Sequence, residues 1–321
     1  MPESPRIGVV CEAFADRPLA EVMDWLAKEC PAVTDLEIGT GGYAPTGHCD
    51  LALLLRDGSE RRRWHDEITS RGFRVAALNV WGNPLHPDHA IATRHDADLR
   101  ATIRLAALLG VDRVVALAGC PPGRAGDRTP HFAGGGWLPY LEGIYEAQWT
   151  EAVEPYWSRL AEFAMEEHPE ALICLELHPG TVVYNVETFN RIAGLGDAIC
   201  ANIDPSHFFW MGMDPIAVVE AISDRAGHCH GKDVVLDVRN LALNGLLDRR
   251  WPRPTTEMPW NFAVVGRGRD RAWWKRFVRR LLEVGRVNSL SIEHEDPIVP
   301  VEAGVPAAAG VLLEALRASA G

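Results

Sequence analysis

Four ionisable residues each close a short apolar run in the second half of the chain. They are Glu176 in Cys-Leu-Glu-Leu-His, Asp204 in Asn-Ile-Asp-Pro-Ser-His, His230 in His-Cys-His-Gly-Lys-Asp and Glu293 in Ser-Ile-Glu-His-Glu-Asp. An ionisable group at the end of a buried strand is costly to desolvate unless another group pairs with it. Three carboxylates and one imidazole suit a moderately hard divalent ion, with Mn²⁺ as the first choice and Mg²⁺, Co²⁺ or Zn²⁺ as alternatives.

The spacing of these residues indicates that they converge. Glu176, Asp204 and His230 follow one another at about the length of one βα unit, and Glu293 follows after about two such units. No other protein ligand is evident, so a substrate would have room on the ion, as in a catalytic metal site. Structural ion pairs or strand-end caps would explain any one of the four residues alone, but their common register favours a metal site.

Short apolar runs and stretches of helical spacing alternate along the whole chain. The runs are Ile7–Val10, Leu36–Ile38, Val75–Val80, Val114–Ala118, Leu172–Leu177, Ile199–Ile203, His228–His230 and Leu290–Ile292. Helices are predicted near 19–28, 59–71, 98–109, 147–167, 186–195, 214–224, 270–284 and 302–319. Apolar strands flanked by amphipathic helices predict a parallel sheet that is buried on both faces.

This alternation favours a closed (β/α)8 TIM barrel, in a single domain over 1–321, above an open doubly wound sheet. A doubly wound sheet would need a glycine-rich phosphate turn after the first strand, where the chain reads Val-Val-Cys-Glu-Ala-Phe instead. Long loops are predicted after strand 4 (119–146) and strand 7 (234–269). Both leave the carboxyl ends of strands, where barrel active sites lie, so they are expected to be lids or substrate walls, or else oligomer contacts.

Composition and net charge indicate the class of protein and disfavour some kinds of partner. Of 321 residues, 47% are hydrophobic and 24% charged, which describes a globular chain, and the net charge of -12 disfavours nucleic acid and anionic membranes as partners. The seven cysteines form no CxxC pair, and the start of the chain lacks the pattern of a signal peptide. We expect no membrane-spanning segment and a cytoplasmic location.

The four motifs resemble those of the xylose isomerase-like TIM barrels, known as the sugar phosphate isomerase/epimerase family. That group also contains ketose 3-epimerases, inosose dehydratase, the catalytic subunit of C-glycoside deglycosidases and endonuclease IV. The resemblance spans nearly the whole chain and is carried by Leu175–Gly180, Asn202–His207, His228–Asp233 and Ser291–Asp296. It is specific for the superfamily and much less so for the reaction.

The resemblance implies roles for the site residues. Glu176 and Glu293 would bind the metal and also move protons on opposite faces of a substrate, while Asp204 and His230 would be ligands only. His207, three residues after the aspartate, would contact a substrate oxygen. Such a site fits proton abstraction next to a sugar carbonyl, with the ion stabilising an enediolate.

Further polar residues near the strand ends are predicted to contact the substrate. Asn83 and His86 follow the third strand, where a turn is an equally good explanation. His178 is a second candidate acid or base. Lys232 is expected to hold a substrate oxygen, and Asp233 to contact substrate or orient a ligand.

Other residues carry weaker predictions. Trp210, Trp251 and Trp260 could form apolar walls, and the segment 266–269 (Gly-Arg-Gly-Arg) could cradle an anion. Glu295 and Asp296 are interpreted as loop charges or helix caps rather than ligands.

The leading functional prediction is a divalent-metal-dependent sugar isomerase or epimerase. The alternative is a lyase that cleaves 3-oxo-(C-)glycosides by β-elimination and works with a small β subunit, whereas an isomerase is expected to form a homo-oligomer. In both cases the partner is a small sugar or oxo-glycoside. A repair nuclease and a non-catalytic sugar-binding protein are the remaining hypotheses. The acidic charge disfavours the nuclease, and the paired glutamates disfavour the binding protein.

Overall fold

A computed structural model describes residues 5–135, 138–250 and 253–319. Its strands are β1 (Arg6–Val10), β2 (Val33–Gly39), β3 (Arg74–Asn79), β4 (Arg113–Ala116), β5 (Leu172–Glu176), β6 (Ile199–Ile203), β7 (Ala226–Gly231), β8 (Asp233–Leu236), β9 (Trp260–Ala263) and β10 (Ser289–Ile292). Eight of them close a barrel in the order β1-β10-β7-β6-β5-β4-β3-β2, and β8 and β9 form a separate pair. The predicted (β/α)8 TIM barrel is therefore confirmed, while its single-domain organisation over 1–321 stays a prediction.

Helices follow the strands in the predicted alternation. They are α1 (Leu19–Glu29), α2 (Leu51–Arg56), α3 (Gly58–Ser70), α4 (His89–Leu109), α5 (Ile144–Gln148), α6 (Glu154–Glu167), α7 (Val186–Ala193), α8 (Pro205–Trp210), α9 (Pro215–Ile222), α10 (Val238–Asn244), α11 (Arg271–Val284) and α12 (Val301–Ser319). A π-helical turn, Trp149–Val153, joins α5 to α6.

Helix α4 begins nine residues before its predicted start because of its cap. Asp88 accepts a 2.9 Å hydrogen bond from the backbone N–H of Ala90, which satisfies one of the free donors at the helix start. At the other end Gly110 adopts a left-handed conformation with φ of 67°, the usual glycine helix stop. The apolar periodicity marks only the second half of this helix, so the pattern alone predicts it too short.

Contacts along the chain define two compact units. One contains the chain up to Leu36, Arg71–Arg74 and the chain from Ile203 onward. In this unit β10 pairs in parallel with β7, with Ser291 opposite His230. Helices α11 and α12 each bury one face, which in α11 consists of Trp274, Phe277, Val278 and Leu281.

The same unit holds a buried ion pair near the amino ends of its strands. The Arg74 guanidinium donates to both carboxylate oxygens of Asp35, with Nη2 2.6 Å from Oδ2 and Nε 3.1 Å from Oδ1. Asp35 is fully buried, so this bidentate pair supplies the charge compensation that burial requires.

The second unit contains Glu37–Ser70 and Val75–Asn202, and with them β3 to β6. Four fully buried small side chains on successive strands, Ala77, Val115, Cys174 and Cys200, form one apolar cluster. Strand β5 pairs with β6 so that Glu176 lies opposite Asn202. This register puts an acid and an amide side by side where the two strands end.

The insertion after β7 is more regular than the predicted loop. Strands β8 and β9 pair in antiparallel register from Asp233 opposite Ala263 to Leu236 opposite Trp260. Helix α10 lies between them along the chain. Because each strand has only four residues, the sequence pattern gives little signal for either of them.

Two further observations bear on the expected location. No described helix, over the ranges given above, is long and apolar enough to cross a bilayer. All seven cysteines are free thiols and buried. The cytoplasmic location stays a prediction.

Candidate active site

The predicted ligands lie at the carboxyl ends of four strands and are buried. Glu176 is the last residue of β5, Asp204 follows β6 directly, His230 lies in β7 and Glu293 follows β10. Their exposed fractions are 2%, 1%, 0% and 8%. The four residues form a set whose ligand atoms all lie within 4.8 Å of one another. The structure thus brings together the residues that the sequence selects as a metal site.

Local structure fixes the direction of two of these carboxylates. Asp204 is the N-cap of α8, and its Oδ1 accepts a 2.8 Å hydrogen bond from the backbone N–H of Ser206. Pro205 at the first helical position favours this turn, since its fixed φ suits a helix start. Glu176 Oε2 accepts a 3.2 Å hydrogen bond from the side-chain amide of Asn202.

The donor set fits a divalent cation. Asp204 Oδ2 is buried and receives no aligned hydrogen bond from the part of the chain that the structure describes. His230 Nδ1 lies 2.9 Å from Glu293 Oε2, and neighbouring ligands of one ion stand about 3 Å apart when each bond is about 2.1 Å. A buried carboxylate oxygen without an aligned hydrogen bond, close to an imidazole nitrogen and a second carboxylate, is an arrangement that suits a metal ion.

Lys232 places its ammonium group among these carboxylates. Its Nζ lies 2.7 Å from Glu293 Oε2, 3.1 Å from Asp204 Oδ2 and 2.8 Å from Glu295 Oε2. Its side chain is only 3% exposed. The sequence singled out Lys232 as a substrate contact, but its pairing with Glu295 was missed because that residue follows the strand in an unpatterned loop.

Burial and charge act in opposite directions on the two glutamates. Burial raises the pKa of Glu293 above its ordinary value, and the charges of Lys232 and His230 oppose that rise. Burial also acts to raise the pKa of Glu295, but the Lys232 ammonium outweighs it and leaves that pKa below its ordinary value. The Lys232 ammonium contacts both carboxylates, and the two pKa values differ in how far its charge outweighs burial.

His207 and Phe262 form one wall of this region. His207 Nε2 lies 3.4 Å from Asp204 Oδ2, and its ring meets the Phe262 ring edge to face, with centroids 5.6 Å apart. Phe262 comes from β9 and was not foreseen from the sequence, in which the strand-7 insertion gave no sign of which residues turn inward. The Lys232 ammonium also lies 4.3 Å from the centre of this ring, within cation–π range.

Two of the tryptophans predicted as apolar walls form an aromatic cluster with Phe262. Trp210 and Trp260 stack with centroids 4.7 Å apart and planes at 11°, and the Arg249 guanidinium lies 4.1 Å from the Trp260 ring centre. Trp260 also meets Phe262 edge to face. The third of these residues, Trp251, lies outside the described residues.

Backbone N–H groups hold the side-chain carboxylate of Asp233 in place. Its Oδ1 accepts from Val234 N at 2.8 Å, and its Oδ2 accepts from Gly266 N, Gly268 N and Arg269 N at 3.1, 3.0 and 2.9 Å. The segment 266–269 is thus an anion cradle, and the anion in it is the carboxylate of Asp233. The predicted contact of Asp233 with substrate stays a prediction. The hydrogen bonds give Asp233 a different role, which is to hold the chain that follows Lys232.

The remaining predicted residues lie in the second unit. Asn83 donates from Nδ2 to Cys120 O at 2.8 Å and accepts at Oδ1 from Cys120 N at 3.0 Å, so its amide already ties two loops together. His86 accepts at Nδ1 from Asp88 N at 2.9 Å. His178 Nδ1 lies 2.6 Å from Pro179 O. Contacts of these three residues with substrate stay predictions.

Asn83 and His178 share a cavity of about 300 Å³. Its other lining residues are Tyr43, Gly82, Leu117, Gly119, Cys120, Pro130, Pro179, Gly180 and Thr181. None of these lining residues is an acid, a lysine or an arginine, so a neutral and partly apolar group suits the cavity best.

Comparison with known proteins places the chain in a family. Residues 37–315 match the xylose isomerase-like TIM barrel family, and the protein belongs to it. It is also 33% identical over 303 residues to the uncharacterized protein YfiH of Bacillus subtilis (strain 168), covering 94% of this chain and 96% of that protein.

Solved structures share the fold at low identity. A D-psicose 3-epimerase crystallised in the presence of D-fructose has a TM-score of 0.57 and 12% identity, covering 98% of this chain and 97% of the other. The IOLI protein with a bound zinc atom has a TM-score of 0.58 and 16% identity, covering 98% of each chain. At these identities the likeness concerns the fold alone.

Proposed function

We propose that the protein is a divalent-metal-dependent isomerase or epimerase that acts on a sugar or oxo-sugar. The observation that carries this proposal is the buried set of Glu176, Asp204, His230 and Glu293, whose ligand atoms lie within 4.8 Å of one another. A D-psicose 3-epimerase and a protein with a bound zinc atom share this fold, so the fold accommodates both the reaction and the kind of metal site that we propose. We propose Mn²⁺ as the ion, with Mg²⁺, Co²⁺ and Zn²⁺ as alternatives.

Each proposed role follows from the contacts of the side chain. When bound, the ion would polarise the substrate carbonyl and its neighbouring hydroxyl. Glu176 and Glu293 would remove and return the proton next to that carbonyl, since each is a buried carboxylate at a strand end. Asn202 orients Glu176 through its 3.2 Å hydrogen bond. Lys232 and His207 would hold substrate oxygens beside Glu293 and Asp204.

The first test is the metal content of protein purified without chelator. Elemental analysis should find about one divalent ion per chain in the wild type and much less in His230→Ala and Glu293→Ala. The exposed His89 provides the matched control His89→Ala, which should keep the ion. A wild type that holds no metal, even after incubation with Mn²⁺, would remove the basis of the proposal.

The second test concerns the reaction itself. Wild-type protein loaded with Mn²⁺ should exchange the hydrogen next to the carbonyl of its ketose substrate with solvent deuterium, as followed by NMR. The same experiment with a set of ketoses and 3-oxo-glycosides would identify the substrate. A protein that binds metal and sugar but exchanges no hydrogen would be a binding protein instead.

One observation favours a lyase as the second candidate. The cavity of about 300 Å³ beside His178 is lined by Tyr43, Leu117 and Pro130, which suit a bulky aglycone better than water or phosphate. In that case a base removes the proton next to the ketone of a 3-oxo-glycoside, and the aglycone leaves by β-elimination. Release of free aglycone distinguishes this reaction from epimerisation, which keeps the glycoside whole. The lyase would also work with a small β subunit, whereas the isomerase would form a homo-oligomer.

A further inference from the structure

Lys232 is a buried cation in direct contact with two of the proposed metal ligands. Its Nζ lies 2.7 Å from Glu293 Oε2 and 3.1 Å from Asp204 Oδ2. A divalent ion held by the same two carboxylates would share them with this ammonium group. Because both are positive and the surroundings are buried, the two cations oppose each other strongly.

Two other side chains hold the ammonium where it is. Phe262 lies against it, with Nζ 4.3 Å from the ring centre, and Glu295 Oε2 lies 2.8 Å away. Glu295 is not among the proposed ligands, and its side chain is 49% exposed. It therefore gives the ammonium a third carboxylate partner, which lies outside the proposed ligand set and reaches solvent.

We infer that Lys232 and Glu295 form a charge pair that sets the affinity of the site for its metal ion. This inference rests on the proposed function. When no ion is bound, the Lys232 ammonium neutralises the carboxylates of Glu293 and Asp204. When an ion binds to these carboxylates, the ammonium repels it. Glu295 offers the ammonium a third carboxylate. It therefore weakens both the neutralisation of the ligand carboxylates and the repulsion of the ion. Metal affinity is thus tuned by two residues that do not bind the metal.

The two residues should act in opposite directions. Lys232→Met removes the competing charge while keeping most of the side-chain volume, so the ion should bind about tenfold more tightly or better. Glu295→Gln removes one carboxylate that competes with Glu293 and Asp204 for the ammonium, so the ion should bind several-fold more weakly. A merely structural role would not give effects of opposite sign.

The experiment is a calorimetric titration of Mn²⁺ into the full-length protein after the metal has been removed by chelation. Lys275→Met is the matched control, because Lys275 pairs with Glu314 on the surface at 2.6 Å, and this variant should bind as the wild type does. Thermal melting of the metal-free proteins gives a second readout. Lys232→Met should melt earlier without metal and gain more from added Mn²⁺ than the wild type.

The outcomes separate the inference from the proposed function. A wild type that binds no Mn²⁺ contradicts the metal site itself. A wild type that binds Mn²⁺, together with a Lys232→Met variant of equal or weaker affinity, overturns the charge pair and leaves the site intact. If Lys232→Met does not fold, Glu295→Gln decides: weaker binding supports the inference, and equal or tighter binding overturns it.

Discussion

The backbone N–H of Gly268 donates a 3.0 Å hydrogen bond to Oδ2 of Asp233. This contact fastens the end of the insertion to the residue that follows Lys232. Since His230, Lys232 and Asp233 are nearly consecutive, holding Asp233 also fixes where the chain places His230, the proposed ligand, and the Lys232 ammonium. The antiparallel pair of β8 and β9, here called the hairpin, is therefore a support for the candidate active site as well as one of its walls.

Gly268→Ala should destabilise the protein. A Cβ atom at this position would meet Val234 O at 2.0 Å and Asp233 Oδ1 at 2.5 Å, so the cradle would have to open. We expect a loss of about 3 kcal/mol in the free energy of unfolding, measured by urea denaturation. Gly310→Ala is the control, because nothing lies within 4 Å of its added Cβ in α12 and the change should be neutral or slightly stabilising. Equal stability of both variants would contradict the cradle.

Arg74→Met should be destabilising because it leaves the Asp35 carboxylate buried without its partner. Asp35 is fully buried and Arg74 is 28% exposed at its side chain. We expect a loss of about 3 kcal/mol in denaturant unfolding, most of it recovered in the double variant with Asp35→Leu. Arg280→Met, which removes a surface pair, should cost less than about 1 kcal/mol. A double variant no more stable than Arg74→Met would show that the ion pair is not the cause.

Asp296→Asn should change how stability depends on pH. Burial acts to raise the pKa of Asp296, but N–H groups of Val299, Ile298 and Val264 together with Arg267 hold that pKa below its ordinary value. A lowered pKa gives stability that is present above the unfolded pKa of about 3.9 and is lost as pH falls through the folded value.

We therefore expect this variant to be about 1–2 kcal/mol less stable than wild type near neutral pH, with the difference shrinking in acid. Urea midpoints measured across the acid range check this. The exposed Asp16→Asn should follow the wild type throughout. A difference that stays constant with pH would mean that Asp296 acts through packing and not through its charge.

Glu176→Gln should greatly slow proton exchange while the protein stays folded. We expect the exchange rate with the substrate identified above to fall by about 10²–10⁴-fold, as for the loss of a general base. Glu187→Gln, an exposed acid at the start of α7, is the matched control and should leave the rate unchanged. Exchange that persists in Glu176→Gln would assign the proton transfer to another residue.

The native protein should resist thiol alkylation. Burial raises the pKa of Cys49 to about 12 and that of Cys120 to about 11, and all seven thiols are buried. Near neutral pH we expect fewer than about one thiol per chain to react with iodoacetamide, as counted by mass spectrometry. The urea-unfolded chain should label fully, and rapid labelling of the native chain would contradict the buried positions.

Much of the architecture could be predicted because it depends on long repeated patterns. Every barrel strand overlaps its predicted run, since a strand buried on both faces reads as a continuous apolar segment. The four predicted ligands are together because strand ends of a parallel barrel meet on one face. These features need only the local sequence and the topology.

What could not be predicted depends on contacts between distant residues. The sequence around Glu295 gives no sign that its side chain reaches Lys232. In the same way, the sequence around Phe262 does not indicate that its ring lies against His207 and Lys232. The sequence offers the segment 266–269 only as a weak candidate for an anion cradle, and the three-dimensional structure shows that a carboxylate of the same chain occupies it. Such pairings depend on the path of an insertion, which short strands and loops do not reveal in their composition.

The hairpin is attached at its base, by the four-residue ladder of β8 and β9 and by the Asp233 cradle. The hydrogen bonds of the ladder and the cradle run between backbone groups and the Asp233 carboxylate, so none of them needs a side chain from the described residues between Leu236 and Trp260. We therefore expect that this stretch can be exchanged as a unit, by evolution or by a protein engineer, while His230, the proposed ligand in β7, stays in place. Related barrels could in this way acquire new substrates through a graft at one site without rebuilding the chemistry beneath it.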